Sequence, residues 1–272
     1  MTHWVHNLDP VIFQIAGPLA VRWYGIAYLL GFLGGYILLL RASKRGEFQV
    51  PKKELSNFIV WLAIGGVFLG GRLGYVLFYS FETFIRDPLF ALRIWEGGMA
   101  SHGGMIGVLL VLLCYAHRHK HSFWNLADNL AAVAPVGLFF GRVANFINGE
   151  LWGRPTSVPW AVIFPQAGDA VPTPRHPSQL YEAFGEGLVL FIVLQLIRRT
   201  KWGQRNGAVS AGFLILYAAA RIGAECFREP DAGYALYLDW ITKGQLYSAV
   251  MVLAAISIMV AKKLYRRGVV TE

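Results

Sequence analysis

Three short segments of the sequence share one pattern: a small residue, an arginine, an apolar residue and a small residue. They are Gly71-Arg72-Leu73-Gly74, Gly141-Arg142-Val143-Ala144 and Ala220-Arg221-Ile222-Gly223, and each sits inside a long apolar run. A charge carried into hydrocarbon is costly, so its presence there points to function. The guanidinium is a planar fork that meets a phosphate with paired N–H donors. Three such cations facing one space would repel one another, so they need an anion, from the protein or from a ligand. In one reading they face a shared pocket and hold an anion such as a lipid phosphate. In the other, each pairs with its own carboxylate as structural glue. Glu225 lies four residues after Arg221, on the same helix face, and Glu150 follows Arg142 closely.

The elements that must carry these residues are legible from hydropathy. Seven apolar runs approach the ~20 residues that a helix needs to cross a bilayer. They cover roughly residues 18–40, 57–79, 101–117, 127–147, 177–197, 207–227 and 244–261. The whole chain is 56% hydrophobic and only 15% charged, where a soluble domain is about a quarter charged. An all-α integral membrane protein with about seven transmembrane helices is therefore expected, as a single transmembrane domain over residues 1–272. Fifteen lysines and arginines fall in the loops after runs one, three and five and in the tail after run seven, against six in the opposite loops. By the positive-inside rule the N-terminus lies outside and the C-terminus in the cytoplasm. The net charge of +9 is thus a topology signal, with no basic face for nucleic acid. Met1 to Gly17 lack the basic start and apolar core of a cleavable signal peptide, and read as a short amphipathic approach to the first span. Cys114 and Cys226 lie apart in apolar stretches without a CxxC spacing. They read as small buried hydrophobes, with no metal site implied.

In that orientation the spans with Arg72, Arg142 and Arg221 all run from inside to outside. Each arginine comes about fifteen residues after its helix starts, roughly 20 Å up and in the outer half of the membrane. Tyr24 lies early in span one, His102 opens span three, Asn145 follows Arg142 by three residues, and Tyr217 precedes Arg221 by four. All belong to the same outer depth, and a His beside arginines, a Tyr and an Asn is a candidate reaction site. The outer loops, about 80–100 and 148–176, carry Trp95, Trp152 and Trp160 and would form a small extracytoplasmic head. Glu182 and Glu186 share a face of span five and read as structural, and Ser178 has no activating partner in sequence.

The run Gly141-Arg142-Val143-Ala144-Asn145-Phe146-Ile147-Asn148-Gly149-Glu150-Leu151-Trp152-Gly153-Arg154 closely resembles the signature of prolipoprotein diacylglyceryl transferases. Four more segments resemble the same family in the same order. These are Arg22-Trp23-Tyr24-Gly25, Gly97-Gly98-Met99-Ala100-Ser101-His102-Gly103-Gly104, Arg175-His176-Pro177-Ser178-Gln179-Leu180-Tyr181-Glu182, and Tyr217 through Arg228-Glu229-Pro230-Asp231. Ala144 stands where many relatives have Gly. The resemblance implies two substrates, phosphatidylglycerol and the lipobox cysteine of a prolipoprotein signal peptide. It also implies a bacterial cytoplasmic (inner) membrane and neither metal nor organic cofactor. The reaction would be alkyl transfer to sulfur with loss of a phosphate monoester. Arg142 and Arg221 are then assigned to the phosphate, with Arg72 a weaker third. His102 is assigned as general base on the thiol, or else as a hydrogen-bond partner of the lipid glycerol. Tyr24, Asn145 and Tyr217 would position the headgroup. Glu150 and Glu225 would orient arginines or share the base role, and Gly153 would permit a tight loop or line the substrate. The competing readings are an anion transporter, a lipid-binding scaffold and a lipid-headgroup hydrolase; no inverted repeat supports the first.

Overall fold

The computed structural model describes residues 3–16, 19–229 and 243–269. Each of the seven apolar runs carries a helix. They are α1 (Trp23–Lys44), α2 (Lys52–Tyr79), α3 (Ser101–His119), α4 (Phe123–Ile147), α5 (Ser178–Arg198), α6 (Ala208–Glu225) and α7 (Lys243–Val269). Among the described residues five of them, α1, α2, α4, α5 and α6, are long and apolar enough to cross a membrane. The apolar part of α7, Gln245–Ala261, is shorter, and α3 ends in His117, Arg118 and His119.

Two small sheets accompany the helices. Residues Val11–Ala16 (β2) and Leu19–Arg22 (β3) pair antiparallel, after a short strand Trp4–Val5 (β1). The first span therefore begins at Trp23, not near residue 18, and a hairpin stands where an amphipathic approach was expected. β-branched and aromatic residues such as Val11, Ile12, Phe13 and Ile15 favour a strand, while hydropathy alone cannot separate a strand from a helix. β1 also pairs parallel to Val162–Ile163 (β4), which pairs antiparallel to Pro174–Arg175 (β5).

The chain divides into two compact units, Met1–Gly35 with Leu130–Glu272, and Tyr36–Asn129. In the second unit α2 packs on α3 along a seam of glycines. A Cβ on Gly70 would lie 2.6 Å from the Gly103 carbonyl oxygen and 2.9 Å from Gly107 Cα. Gly66 and Gly74 meet the same face, at Val108 and Gly103 respectively. Between helices in lipid there is little hydrophobic drive, so close backbone approach supplies the attraction. The seam places Arg72, between Gly70 and Gly74, and His102, beside Gly103.

In the first unit α5 packs on α6, and α6 on α7. Leu190, Leu194 and Val209 form a buried cluster with Ala132 of α4. α2 and α5 each contain a π-helical stretch, Trp61–Leu69 and Ala183–Val189. Such wide turns often mark functional positions, and the one in α5 carries Glu186. Cys114 and Cys226 are both exposed, contrary to the expectation of burial. The outward face of an apolar helix is itself a suitable place for a small apolar thiol.

Candidate active site

The signature run ends α4 and turns sharply. Gly149 and Leu151 both have positive φ, 64° and 59°; for leucine this left-handed backbone is strained. The first turn of α5 holds the turn in place. Ser178 and Gln179 are fully buried. The Ser178 hydroxyl donates to the Leu151 carbonyl at 3.0 Å, and the Gln179 amide to the Glu150 carbonyl at 2.6 Å. His6, buried beneath β1, bonds through Nε2 to the Phe146 carbonyl at 2.7 Å. Further on, the Gly153 N–H donates to the His176 carbonyl, and the Arg154 N–H to that of Phe227. A Cβ at Gly153 would lie 2.6 Å from the His176 and Phe227 carbonyl oxygens, so this position requires the smallest residue.

Within the frame made by α4, α5 and α6, arginines and carboxylates interleave. Arg142 donates through Nε and Nη2 to Glu186 Oε2, at 3.1 and 2.9 Å. Its Nη1 lies 2.9 Å from Glu182 Oε2, an ion pair without hydrogen-bond alignment. Arg221 donates to Glu182 Oε1 at 2.8 Å and to Glu225 Oε1 at 2.5 Å. Arg228 reaches the same Glu182 oxygen at 3.3 Å. Glu182 and Glu186 are fully buried and Glu225 nearly so. Among the described residues three cations therefore share three anions, and this set is formally neutral. A buried ion that loses its partner costs several kcal/mol, so these charges hold one another in a fixed geometry.

The other expected residues distribute as follows. Asn145, one turn after Arg142, donates to Glu150 Oε1 at 2.8 Å, and Asn148 adds a second amide at 3.3 Å. Glu150 is thus held by amides and not by Arg142, while Oε2 stays outside these bonds. Tyr217 stacks on Phe213 one turn below Arg221 and lies within electrostatic reach of Glu186 and Arg142. Tyr24 packs on Tyr28 at 5.4 Å and is not among the cluster's partners within the described residues. Arg72 and His102 belong to the other unit. There Arg72 is buried and bound to backbone carbonyls, and His102 is half-buried at the start of α3.

Sequence reasoning missed Glu182, Glu186 and Arg228 as members of this cluster. The signal was present for the two glutamates: acidic residues four apart inside an apolar run are as anomalous as the arginines.

Beside the cluster, the loop before α5 is fastened by charge. Arg175 donates to both oxygens of Asp169, at 2.9 and 2.7 Å. That hydrogen-bonded guanidinium holds the Asp169 carboxyl below its ordinary range, against the opposing effect of desolvation. Trp160 donates to the Tyr181 oxygen at 2.7 Å, and the Tyr181 hydroxyl lies 3.1 Å from His176 Nδ1. An indole can only donate, so Tyr181 is free to give its proton to a neutral His176. Burial pushes the His176 imidazole below its ordinary value. Both groups have depressed folded values, so both contributions are complete above the unfolded values and lost as pH falls. The loop over residues 165–176 should therefore exchange its amide hydrogens faster as pH falls below the ordinary imidazole range and His176 charges, and faster again as it falls below the ordinary carboxylate range and Asp169 protonates. Exchange that is flat in pH after correction for intrinsic rates would contradict this.

A family model described as prolipoprotein diacylglyceryl transferase matches residues 10–261. The chain belongs to the prolipoprotein diacylglyceryl transferase family. Its curated relatives agree in length as well as sequence. The protein of Sinorhizobium medicae is 51% identical over 259 residues, covering 92% of this chain and 90% of the relative. That of Photobacterium profundum is 48% identical over 247 residues, covering 91% and 90%. That of Rhodospirillum centenum is 49% identical over 257 residues, covering 93% and 91%. Each of the three is named a phosphatidylglycerol–prolipoprotein diacylglyceryl transferase. As a diacylglyceryl transferase by family, the chain is a transferase, and its apolar helices are those of a multi-pass membrane protein.

Proposed function

We propose that the chain moves the sn-1,2-diacylglyceryl group of phosphatidylglycerol onto the thiol of a prolipoprotein's lipobox cysteine. A thioether forms and glycerol phosphate leaves, as the first step of bacterial lipoprotein maturation. The observation that carries this reading is the meeting of Arg142 and Arg221 over buried glutamates beside the signature loop. The cysteine sulfur attacks the glyceryl carbon bonded to phosphate. A C–S bond forms, that C–O bond breaks with its electron pair going to the phosphate, and the thiol proton goes to a base. A free thiol is only a few per cent ionised at pH 7, which is why a base is needed.

The phosphate passes from one negative charge to two as it leaves. Arg142 and Arg221 keep N–H groups that are not turned on carboxylates, and these receive it. Their glutamate partners fix the guanidinium planes in advance, so no reorganisation is needed when charge develops. His102 takes the thiol proton, with Glu150 Oε2 the second candidate. Tyr24, Asn145 and Tyr217 position the headgroup, and Gly153 keeps the loop closed. In this proposal all seven helices cross the bacterial inner membrane, with the N-terminus outside and the C-terminus in the cytoplasm. The loops 80–100 and 148–176 then form the extracytoplasmic part of one membrane domain.

The test uses purified protein in detergent, phosphatidylglycerol, a synthetic lipobox peptide and mass spectrometry, with Arg142→Ala beside the wild type. A diacylglyceryl mass gain on cysteine with wild type only is the expected result. Loss of phosphatidylglycerol without any peptide product would favour a hydrolase, and exchange of lipid without chemistry a transporter.

A further inference from the structure

We infer that Arg72 is a positioning residue, which fixes the segment leading into His102 by binding its backbone carbonyls. The inference rests on the proposal that His102 acts on the substrate. All five N–H groups of the guanidinium are committed. Nε donates to Ala91 at 3.1 Å, Nη1 to Gly97 and to Gly98, the latter at 3.2 Å, and Nη2 to Phe90 at 2.5 Å and Arg93 at 3.0 Å. The side chain is 3% exposed, and its central carbon lies 4.9 Å from the Phe90 ring centre. A guanidinium with every donor turned on a carbonyl has none left for a phosphate.

The segment needs such an anchor. Residues Pro88–Leu92 and Ile94–Glu96 are short 3₁₀ stretches, in which the last carbonyls of each run lie beyond its i→i+3 bonds while Phe90 and Arg93 accept a backbone N–H as well as Arg72. Their side chains bury little, since Leu89, Leu92 and Trp95 are all well exposed, and Phe90 packs on Tyr75 and on Arg72 itself. Gly97 and Gly98 follow with φ of 80° and 85°, a conformation that glycine adopts freely. The Ala100 N–H then donates to the Gly71 carbonyl at 2.9 Å, and α3 starts one residue later with His102 in its first turn. One turn of α2, Gly71 and Arg72, thus grips the chain at 90–98 and again at 100. Arg72 acts through His102 by fixing where α3 begins.

The experiment compares Arg72→Lys, Arg72→Gln and Gly97→Ala with His102→Gln, all as full chains in detergent, checked for folding by thermal unfolding. Two quantities are read: kcat and KM for phosphatidylglycerol, and the rate at which diethyl pyrocarbonate modifies His102, by mass spectrometry. The expected result for both Arg72 variants is a kcat lower by about tenfold to a hundredfold, an unchanged KM, and several-fold faster modification of His102. Lysine should not rescue, because an ammonium has three donors and no planar fork. Gly97→Ala, which strains the same segment and leaves Arg72 in place, should change both readings in the same direction and keeps the test open if the Arg72 variants fail to fold. A raised KM with unchanged kcat and unchanged modification would make Arg72 a phosphate ligand and overturn the inference. Unchanged kcat would overturn it as well. Full activity in His102→Gln would instead sink the base assignment, and with it any catalytic meaning of the positioning.

Discussion

Replacing Arg142 with lysine keeps one positive charge at the end of α4, yet transfer should fall by about 10²–10³-fold, the loss typical of removing one preorganised donor to a developing anion. The guanidinium bridges two helices by geometry: Nε and Nη2 meet Glu186 while Nη1 meets Glu182. An ammonium can satisfy one of those carboxylates but cannot span both and still present a fork to the phosphate. The loss should appear in kcat, because the extra charge on phosphate exists only as the C–O bond breaks. Thermal unfolding must first show the variant folded; a folded variant with near wild-type transfer would remove Arg142 from the leaving-group role.

Glu182→Gln should be the most destabilising conservative change in the cluster. Its carboxylate serves three arginines: Oε1 faces Arg221 and Arg228, and Oε2 faces Arg142. Removing its charge leaves three cations, one buried and two largely so, over two anions. Breaking a buried ion pair on one side costs ~3–5 kcal/mol, or roughly 6–20 °C in Tm at ~2–4 °C per kcal/mol for large domains. Glu225→Gln is the control, because among the described residues Glu225 serves Arg221 alone, and it should cost less. A Glu182→Gln protein as stable as wild type would mean that the arginines do not depend on this anion.

The seven long helices are legible in the sequence, since long apolar runs with basic loops leave few alternatives, whereas the short helix Phe81–Arg86 and the 3₁₀ stretches after it are not. It also places the arginines, and the Arg221–Glu225 pair follows from a four-residue spacing. The partnership of Arg142 and Arg221 with Glu182 and Glu186 could not be read in the same way. Those pairs join helices about forty residues apart, and periodicity says which face is polar but not which helix it meets. The start of α1 lies later than hydropathy alone implies for a related reason, because the paired strands Val11–Ala16 and Leu19–Arg22 are as apolar as the span they precede. The α2–α3 seam was legible in principle from Gly66, Gly70, Gly74, Gly103 and Gly107, whose four-residue spacing on two helices is the pattern of close backbone contact.

The neutral cluster also constrains how the chain enters the bilayer during synthesis. A lone charged side chain near the middle of an inserting helix costs ~2.5–3.5 kcal/mol, and α5 carries two glutamates. Alone it would be a poor candidate to leave the translocation channel for lipid. The helix made just before it, α4, brings Arg142, and the one made next, α6, brings Arg221. The order of synthesis thus supplies a counter-ion on either side of the acidic helix, and Arg228, just beyond α6, offsets the Glu225 that α6 also carries, so α4, α5 and α6 with that short extension are suited to partition together, with the arginine–glutamate cluster assembled by the act of insertion.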